Sequence, residues 1–266
     1  MSARNPIAIF DSGVGGLSVA REIRRLLPYE DILYFADSAY CPYGTKPPEE
    51  ILSRSATICR FLVGQGAKIL VVACNTASVA GLDRPRDFFK IPIVGMEPAV
   101  KPAAAATRNG RIGVLATGVT LNGDRFGILL SKFASGIDVY TQPCPGLVEL
   151  VEAGKMNGPE IEEMLNTYLL PLLDHGVDTV VLGCTHYPFL RQVIQEKAGP
   201  GINIIDTGED VARQVHRVLR ENNLLNDSVI PGKEIFFTSG DPELVGRIIA
   251  RILGKGEINI EKVVLT

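Results

Sequence analysis

AKILVVACNTAS, residues 67–78, lies over VDTVVLGCTHYP, residues 177–188, at an offset of 110 residues that sets Cys74 on Cys184. Around this pair the likeness continues. IPIVGMEPAV (91–100) lies over INIIDTGEDV (202–211) at an offset of 111, and IAIFDSG (7–13) over IGVLATG (112–118) at 105. Three segments in the same order at nearly one offset read as two related halves. In each half a β-branched run leads into polar or glycine-rich residues and then into an amphipathic stretch. That alternation is the signature of an α/β fold built on parallel sheets.

The expected strands are PIAIF (6–10), KILVVA (68–73), IPIVGM (91–96), RIGVLA (111–116), DTVVLG (178–183), INIID (202–206) and EIFFTS (234–239). Several are unbroken apolar runs, as in sheets covered on both faces. Helical stripes are expected at Leu52, Ala56, Cys59 and Val63, at Ile161, Leu165, Tyr168 and Leu172, and at Val211, Val215 and Val218. Pro98, Pro102 and the Ala103–Ala106 run suit a connection between the halves. The last strand and helix, about 233–253, follow the second copy and are expected to return to the first.

The chain has 266 residues, 46% of them apolar and 21% charged. It is long enough for two domains, and its core needs no disulfide staple. A net charge of -3 argues against nucleic acid or an anionic membrane as partner. No apolar run reaches the roughly 18 residues of a membrane span, and the N-terminus lacks a signal-peptide apolar region. The expectation is a cytoplasmic protein whose five cysteines stay reduced.

In parallel sheets ligands gather at the carboxyl ends of strands. Asp11-Ser12-Gly13, Cys74-Asn75-Thr76, Thr117 to Thr120 and Cys184-Thr185-His186 all fall there. Asn75 or Thr76 is expected to cap the next helix, leaving Cys74 near a helix N-terminus, a position that favours the thiolate. Matched thiols in two halves that face each other suit inversion of a stereocentre beside a carboxylate. One thiol removes a proton from one face of the carbon and the other supplies a proton to the opposite face. Near-attack contacts of about 3–3.5 Å on each side would hold the sulfurs roughly 6–7 Å apart, so the working pair is not a disulfide.

Other readings compete with this one. A single strand-end cysteine more often only fills space. Cys59 lies on an apolar stripe, and Cys41 and Cys144 need no role beyond packing or surface. Gly13-Val14-Gly15-Gly16-Leu17-Ser18 resembles a dinucleotide loop with serine at its third glycine position. Cys184 with His186 reads as a hydrolase pair, although residues two apart rarely meet on regular structure and no third orienting group is identifiable. The cysteines lack C-x-x-C spacing and the three histidines are scattered, so a zinc site is not expected.

Taken together, IAIFDSGVGGLSV (7–19), YFAD…PYG (34–44), VVACNTAS (71–78), GMEPAV (95–100), LAT..T (115–120), LVEAG (150–154) and GCTHYP (183–188) resemble the cofactor-independent aspartate/glutamate racemase family. The resemblance implies interconversion of L- and D-glutamate with no cofactor and no metal. It implies Cys74 and Cys184 as the catalytic thiols, Asp11 and His186 as their respective helpers, and Glu152 as a further acidic group. Asp11, Ser12, Tyr43, Gly44, Asn75, Thr76, Thr117, Thr120, Thr185 and His186 match substrate-binding positions. The implied architecture is two pseudo-symmetric three-layer α/β domains with mainly parallel sheets and the active site in the cleft between them. The first domain takes residues 1–97 plus 208–266, and the second 98–207. A homodimer and D-glutamate supply for peptidoglycan are also implied, with aspartate the nearest alternative substrate. Three positions depart from the family pattern: Ala36 for a usual glycine, Tyr40-Cys41 where basic or aliphatic residues are common, and Gly123 for a frequent serine.

Overall fold

The computed structural model describes residues 2–81 and 88–265. Its first sheet has six parallel strands: β1 (Ile7–Asp11), β2 (Ile32–Ala36), β3 (Ile69–Val72), β4 (Ile93–Val94), β9 (Glu234–Thr238) and β10 (Ile260–Lys262). The second has four: β5 (Arg111–Ala116), β6 (Asp138–Pro143), β7 (Thr179–Leu182) and β8 (Asn203–Ile205). All the pairings are parallel.

Read from one edge, the first sheet runs β4-β3-β1-β2 and then β9-β10, while the second runs β8-β7-β5-β6. The two orders are the same, and so are the registers. Ile7 pairs with Ile69 as Ile112 pairs with Thr179. Leu70 pairs with Ile93 as Val180 pairs with Ile204. These pairs reproduce the sequence offsets of 105, 110 and 111, so the halves are pseudo-symmetric strand for strand.

Side chains alternate across each strand. In β1, Ile7 and Ile9 face one apolar layer and Ala8 and Phe10 the other. The first layer is filled by α1 (Leu17–Leu26), which packs on α10 (Gly208–Glu221). The second is filled by α2 (Pro48–Gly64), through Ile51, Ile58 and Leu62. In the second sheet Ile112 and Val114 face α4 (Val100–Ala106) and α6 (Asp124–Phe133). On the other side lie α8 (Pro159–Asp174) and α9 (Arg191–Ala198). Shorter helices are α3 (Asn75–Gly81), α5 (Gly118–Asn122) and α7 (Leu147–Glu152), and α11 spans Pro242–Leu253.

Three expectations shift. The deepest face of α2 is Ile51, Ser55, Ile58, Cys59 and Leu62; Leu52, Ala56 and Val63 lie at its flank. Leu169 and Leu219 likewise take the buried places expected of Tyr168 and Val218. The stretch after Pro98 is a packed helix rather than a bare connection, because Val100 and Ala103 are buried against the second sheet. Unexpected strands are β2, β6 and β10. The last two are edge strands with mixed or exposed faces, which leaves them no apolar run.

Candidate active site

Asp11 ends β1, Cys74 follows β3 and Cys184 follows β7, so all three stand at carboxyl ends of central strands. Ser12, Asn75, Thr76, Thr185 and His186 follow them in chain. Thr117 and Thr120 come from the turn after β5 and from α5, and Glu152 from the last residue of α7. Asp11, Ser12, Cys74, Asn75, Thr76, Thr120, Cys184, Thr185 and His186 are all buried.

Cys74 is the residue immediately before α3, and it takes the cap role expected of Asn75 or Thr76. Its carbonyl accepts from the Ser78 N–H at 2.9 Å. Burial nevertheless pushes the Cys74 thiol well above its usual range, and the Asp11 charge adds to this more than the Ala77 N–H offsets. Burial thus outweighs the helix N-terminus, the position expected to favour the thiolate. The Cys74 sulfur lies 3.9 Å from the Ser12 hydroxyl. Burial also raises the Asp11 carboxyl, with the His186 charge and the Gly16 N–H pulling it back. Gly16 donates to Asp11 Oδ2 at 2.8 Å, and Thr185 Oγ1 reaches the same oxygen at 3.4 Å.

Cys184 has a different partner. His186 Nδ1 lies 3.7 Å from its sulfur, and His186 Nε2 meets Glu152 Oε1 at 2.6 Å. Two residues apart, Cys184 and His186 still face each other, because the chain after β7 turns at once into a short 3-10 segment, Tyr187–Leu190. Glu152 supplies the orienting group not identifiable from sequence. Burial works against the imidazolium, but bonding to Cys184, Cys41 and Glu152 outweighs it and holds His186 well above the usual histidine range. The two thiols thus have opposite settings, a carboxylate beside Cys74 and an imidazole–carboxylate chain beside Cys184.

The glycine loop serves this arrangement. Glu152 Oε1 accepts from the Val14 N–H at 2.6 Å. A Cβ on Gly13 would stand 2.1 Å from that oxygen, and a Cβ on Gly15 would stand 2.3 Å from His186 Nδ1. Gly13 and Gly15 therefore admit Glu152 and His186, which fill the space a bound phosphate would need.

Neutral donors from α3, from the turn after β5 and from α5 come together as well. The hydroxyls of Thr76, Thr117 and Thr120 lie 3.0–3.4 Å apart. The Asn75 amide is buried and, among the described residues, has no partner at either end. Gly44 lets its turn approach Thr117, whose Cβ would be 2.9 Å from an added Cβ. The Tyr43 side chain is not among these donors. Its hydroxyl donates to Asp37, which Arg54 clasps at 2.7 and 2.9 Å. Arg54 lies on the buried face of α2. An arginine among core positions was the signal for this lock.

Cys59 is core and Cys144 is buried. Cys41 packs against the core, with its sulfur within 4.8 Å of ligand atoms of Glu152 and His186.

Comparison with known proteins gives one answer. Residues 15–215 match the family model for Asp/Glu/hydantoin racemase. A glutamate racemase of Stutzerimonas stutzeri is 49% identical over 254 residues, 95% of this chain and 96% of its own. A glutamate racemase isoform of Bacillus anthracis has a similar structure, with a TM-score of 0.87 at 35% identity, covering 99% of this chain and 98% of that one. The structure of glutamate racemase from Francisella tularensis in complex with D-glutamate matches with a TM-score of 0.85 at 31% identity, covering 98% of each chain.

Proposed function

The chain belongs to the Asp/Glu/hydantoin racemase family, and we propose that it interconverts L- and D-glutamate by passing the Cα proton between Cys74 and Cys184. The enzyme is an isomerase. The observation that carries the two-thiol reading is the pseudo-symmetry: Cys74 and Cys184 end equivalent strands, β3 and β7, each with its own acid–base partner.

In one direction Cys184, as thiolate, takes the Cα proton from one enantiomer. The resulting carbanion is delocalised into the neighbouring carboxylate and collects a proton from the Cys74 thiol on the other face. The product leaves Cys184 protonated and Cys74 ionised, which is the starting state for the reverse direction. Asp11 and the His186–Glu152 pair reset the two sulfurs. The unbonded Asn75 amide and the Thr76–Thr117–Thr120 hydroxyls supply donors for the substrate carboxylates without an arginine. Ser12, Thr185 and the Tyr43-Gly44 turn complete the binding surface. The residue division into 1–97 plus 208–266 and 98–207 is supported by sheet membership, since β5 to β8 form a sheet of their own. Among the described residues no helix is long and apolar enough to cross a membrane. We read the protein as cytoplasmic and homodimeric, supplying D-glutamate for peptidoglycan.

The test is turnover of L-glutamate in deuterium oxide. D-Glutamate labelled at Cα is expected, and L-aspartate should turn over far more slowly. Cys74→Ala and Cys184→Ala should each lower kcat by at least about 10³-fold in both directions. The chain Cys184–His186–Glu152 also fits the hydrolase reading. That reading predicts an enzyme indifferent to Cys74→Ala, and no label at Cα.

A further inference from the structure

The structure assigns a second use to the group beside Cys184: Cys41, Glu152 and His186 form a site for a thiophilic divalent cation, zinc or cobalt, whose binding stops racemisation. The site itself stands on geometry; the effect on turnover rests on the role proposed above for His186.

The three residues come from three separate elements: the turn before Tyr43, the end of α7 and the segment after β7. Each offers one ligand atom, and these atoms lie within 4.8 Å of one another. Sulfur, imidazole nitrogen and carboxylate oxygen together select zinc-like ions over magnesium or calcium, which prefer all-oxygen sets. Metal–ligand bonds of about 2.0–2.3 Å in a tetrahedron place ligand atoms roughly 3.3–3.8 Å apart. Closing the set needs the His186 Nε2–Glu152 Oε1 contact to open from 2.6 Å and any pair near the 4.8 Å limit to draw in by about 1 Å. Three protein ligands leave a fourth position for water.

The surroundings hold the ligands and leave a way in. Gly13 and Gly15 back Glu152 and His186 from the opposite side. The Asp37–Arg54–Tyr43 lock anchors the segment that carries Cys41. Cys41 and Glu152 are partly exposed whereas His186 is buried, so an ion reaches the sulfur and carboxylate first. His186 Nε2 already faces Glu152 while Nδ1 faces Cys184. Binding would release two protons to water, one from the Cys41 thiol and one from His186 Nε2, which now faces Glu152. It would exchange the Nε2–Glu152 hydrogen bond for two metal bonds, fix the ring and withdraw Glu152 from its carboxylate–imidazole pairing. The partner of Cys184 is then immobilised, while nothing at Cys74 has changed.

The experiment uses the whole chain, freed of metal by a chelator. Titration with Co²⁺ should develop a thiolate-to-cobalt charge-transfer band that saturates at one ion per chain, and Zn²⁺ should inhibit racemisation. Cys41→Ser, and Cys41→Ala as a second replacement, should keep the parent's Tm and circular-dichroism spectrum. Both should lose the cobalt band and need at least ~10-fold more zinc for the same inhibition. The matching Tm and spectrum are the check that each variant has folded. An unchanged band and unchanged zinc sensitivity in both variants would put the ion on ligands other than Cys41 and overturn the proposal. A Cys41-dependent band without inhibition would overturn the link to catalysis and count against the role of His186, leaving the two-thiol chemistry to its own isotope test.

Discussion

Asn75 is buried with both ends of its amide unpaired, a state that costs a folded protein about 1–3 kcal/mol. A fold keeps such a group where something else uses it. Asn75 begins α3 because Cys74 takes the cap position, so its side chain is released from the cap role and stays beside the thiol. Asn75→Leu has similar volume and removes the unsatisfied atoms. The expected result is a Tm equal to or above that of the parent and a KM for glutamate raised at least ~10-fold, the equivalent of about 1.4 kcal/mol. Thermal unfolding and steady-state kinetics on the same preparation check it. A lower Tm with unchanged KM would mean the amide serves the fold and not the substrate.

Asp178, immediately before β7, shows the same logic at the level of an element. Its carboxylate accepts from Thr107 Oγ1 at 2.7 Å and from the Arg108 and Asn109 N–H groups at 2.7 and 2.8 Å. That closes the turn between α4 and β5 against β7, the strand that delivers Cys184. Burial opposes ionisation, but these bonds together with Thr179 hold the carboxyl below its ordinary value. A depressed carboxyl stabilises the fold above its unfolded pKa of about 3.9, and that stability disappears as pH falls through the folded value. Asp178→Asn should therefore cost about 1–3 kcal/mol at pH 7. The gap from the parent should narrow steadily below about pH 4, read as urea midpoints at several pH values. A gap independent of pH would show that the loss is steric. Elements of this kind set the limit of what the sequence could tell. The central strands and the paired cysteines were legible, since both faces of β1, β3, β5 and β7 are covered and their runs are unbroken apolar residues. β6 and β10 are edges and lack that signal. β2 carries it in Ile32-Leu33-Tyr34-Phe35, although it is absent from the expected strands. Of the site, Cys74, Cys184, Asp11 and His186 stand out from strand-end position. The contacts of Cys41 and Glu152 with His186 do not, because they join residues 34 to 145 positions apart in chain.

For the molecule as a whole, the site exists only where the two halves meet. Val14 N–H to Glu152, Ser18 Oγ to the Thr185 carbonyl at 2.9 Å, Thr76 to Thr117, and Arg125 to Glu97 all cross between them. The halves also meet closely where α3 passes the turn joining α5 to α6. There Gly123 stands in place of the family's frequent serine, and a Cβ at this position would lie 2.3 Å from Val79 Cγ1. The backbone does not require glycine, for φ −75° and ψ 140° suit any residue. The constraint is Val79, whose branched side chain is stiff in a helix. α3 carries Asn75 and Thr76 while α5 carries Thr120, so a wedge at this point separates donors that must converge on one substrate. Gly123→Ser should lower kcat/KM about 10-fold, a loss of ~1.4 kcal/mol. Val79→Ala alone should change it little, and the double variant should recover most of the loss. A double-mutant cycle on kcat/KM should then give a coupling of about 1–2 kcal/mol. If the double variant is as impaired as Gly123→Ser alone, Val79 does not set the spacing, and the serine acts on the turn itself rather than on the meeting of the halves.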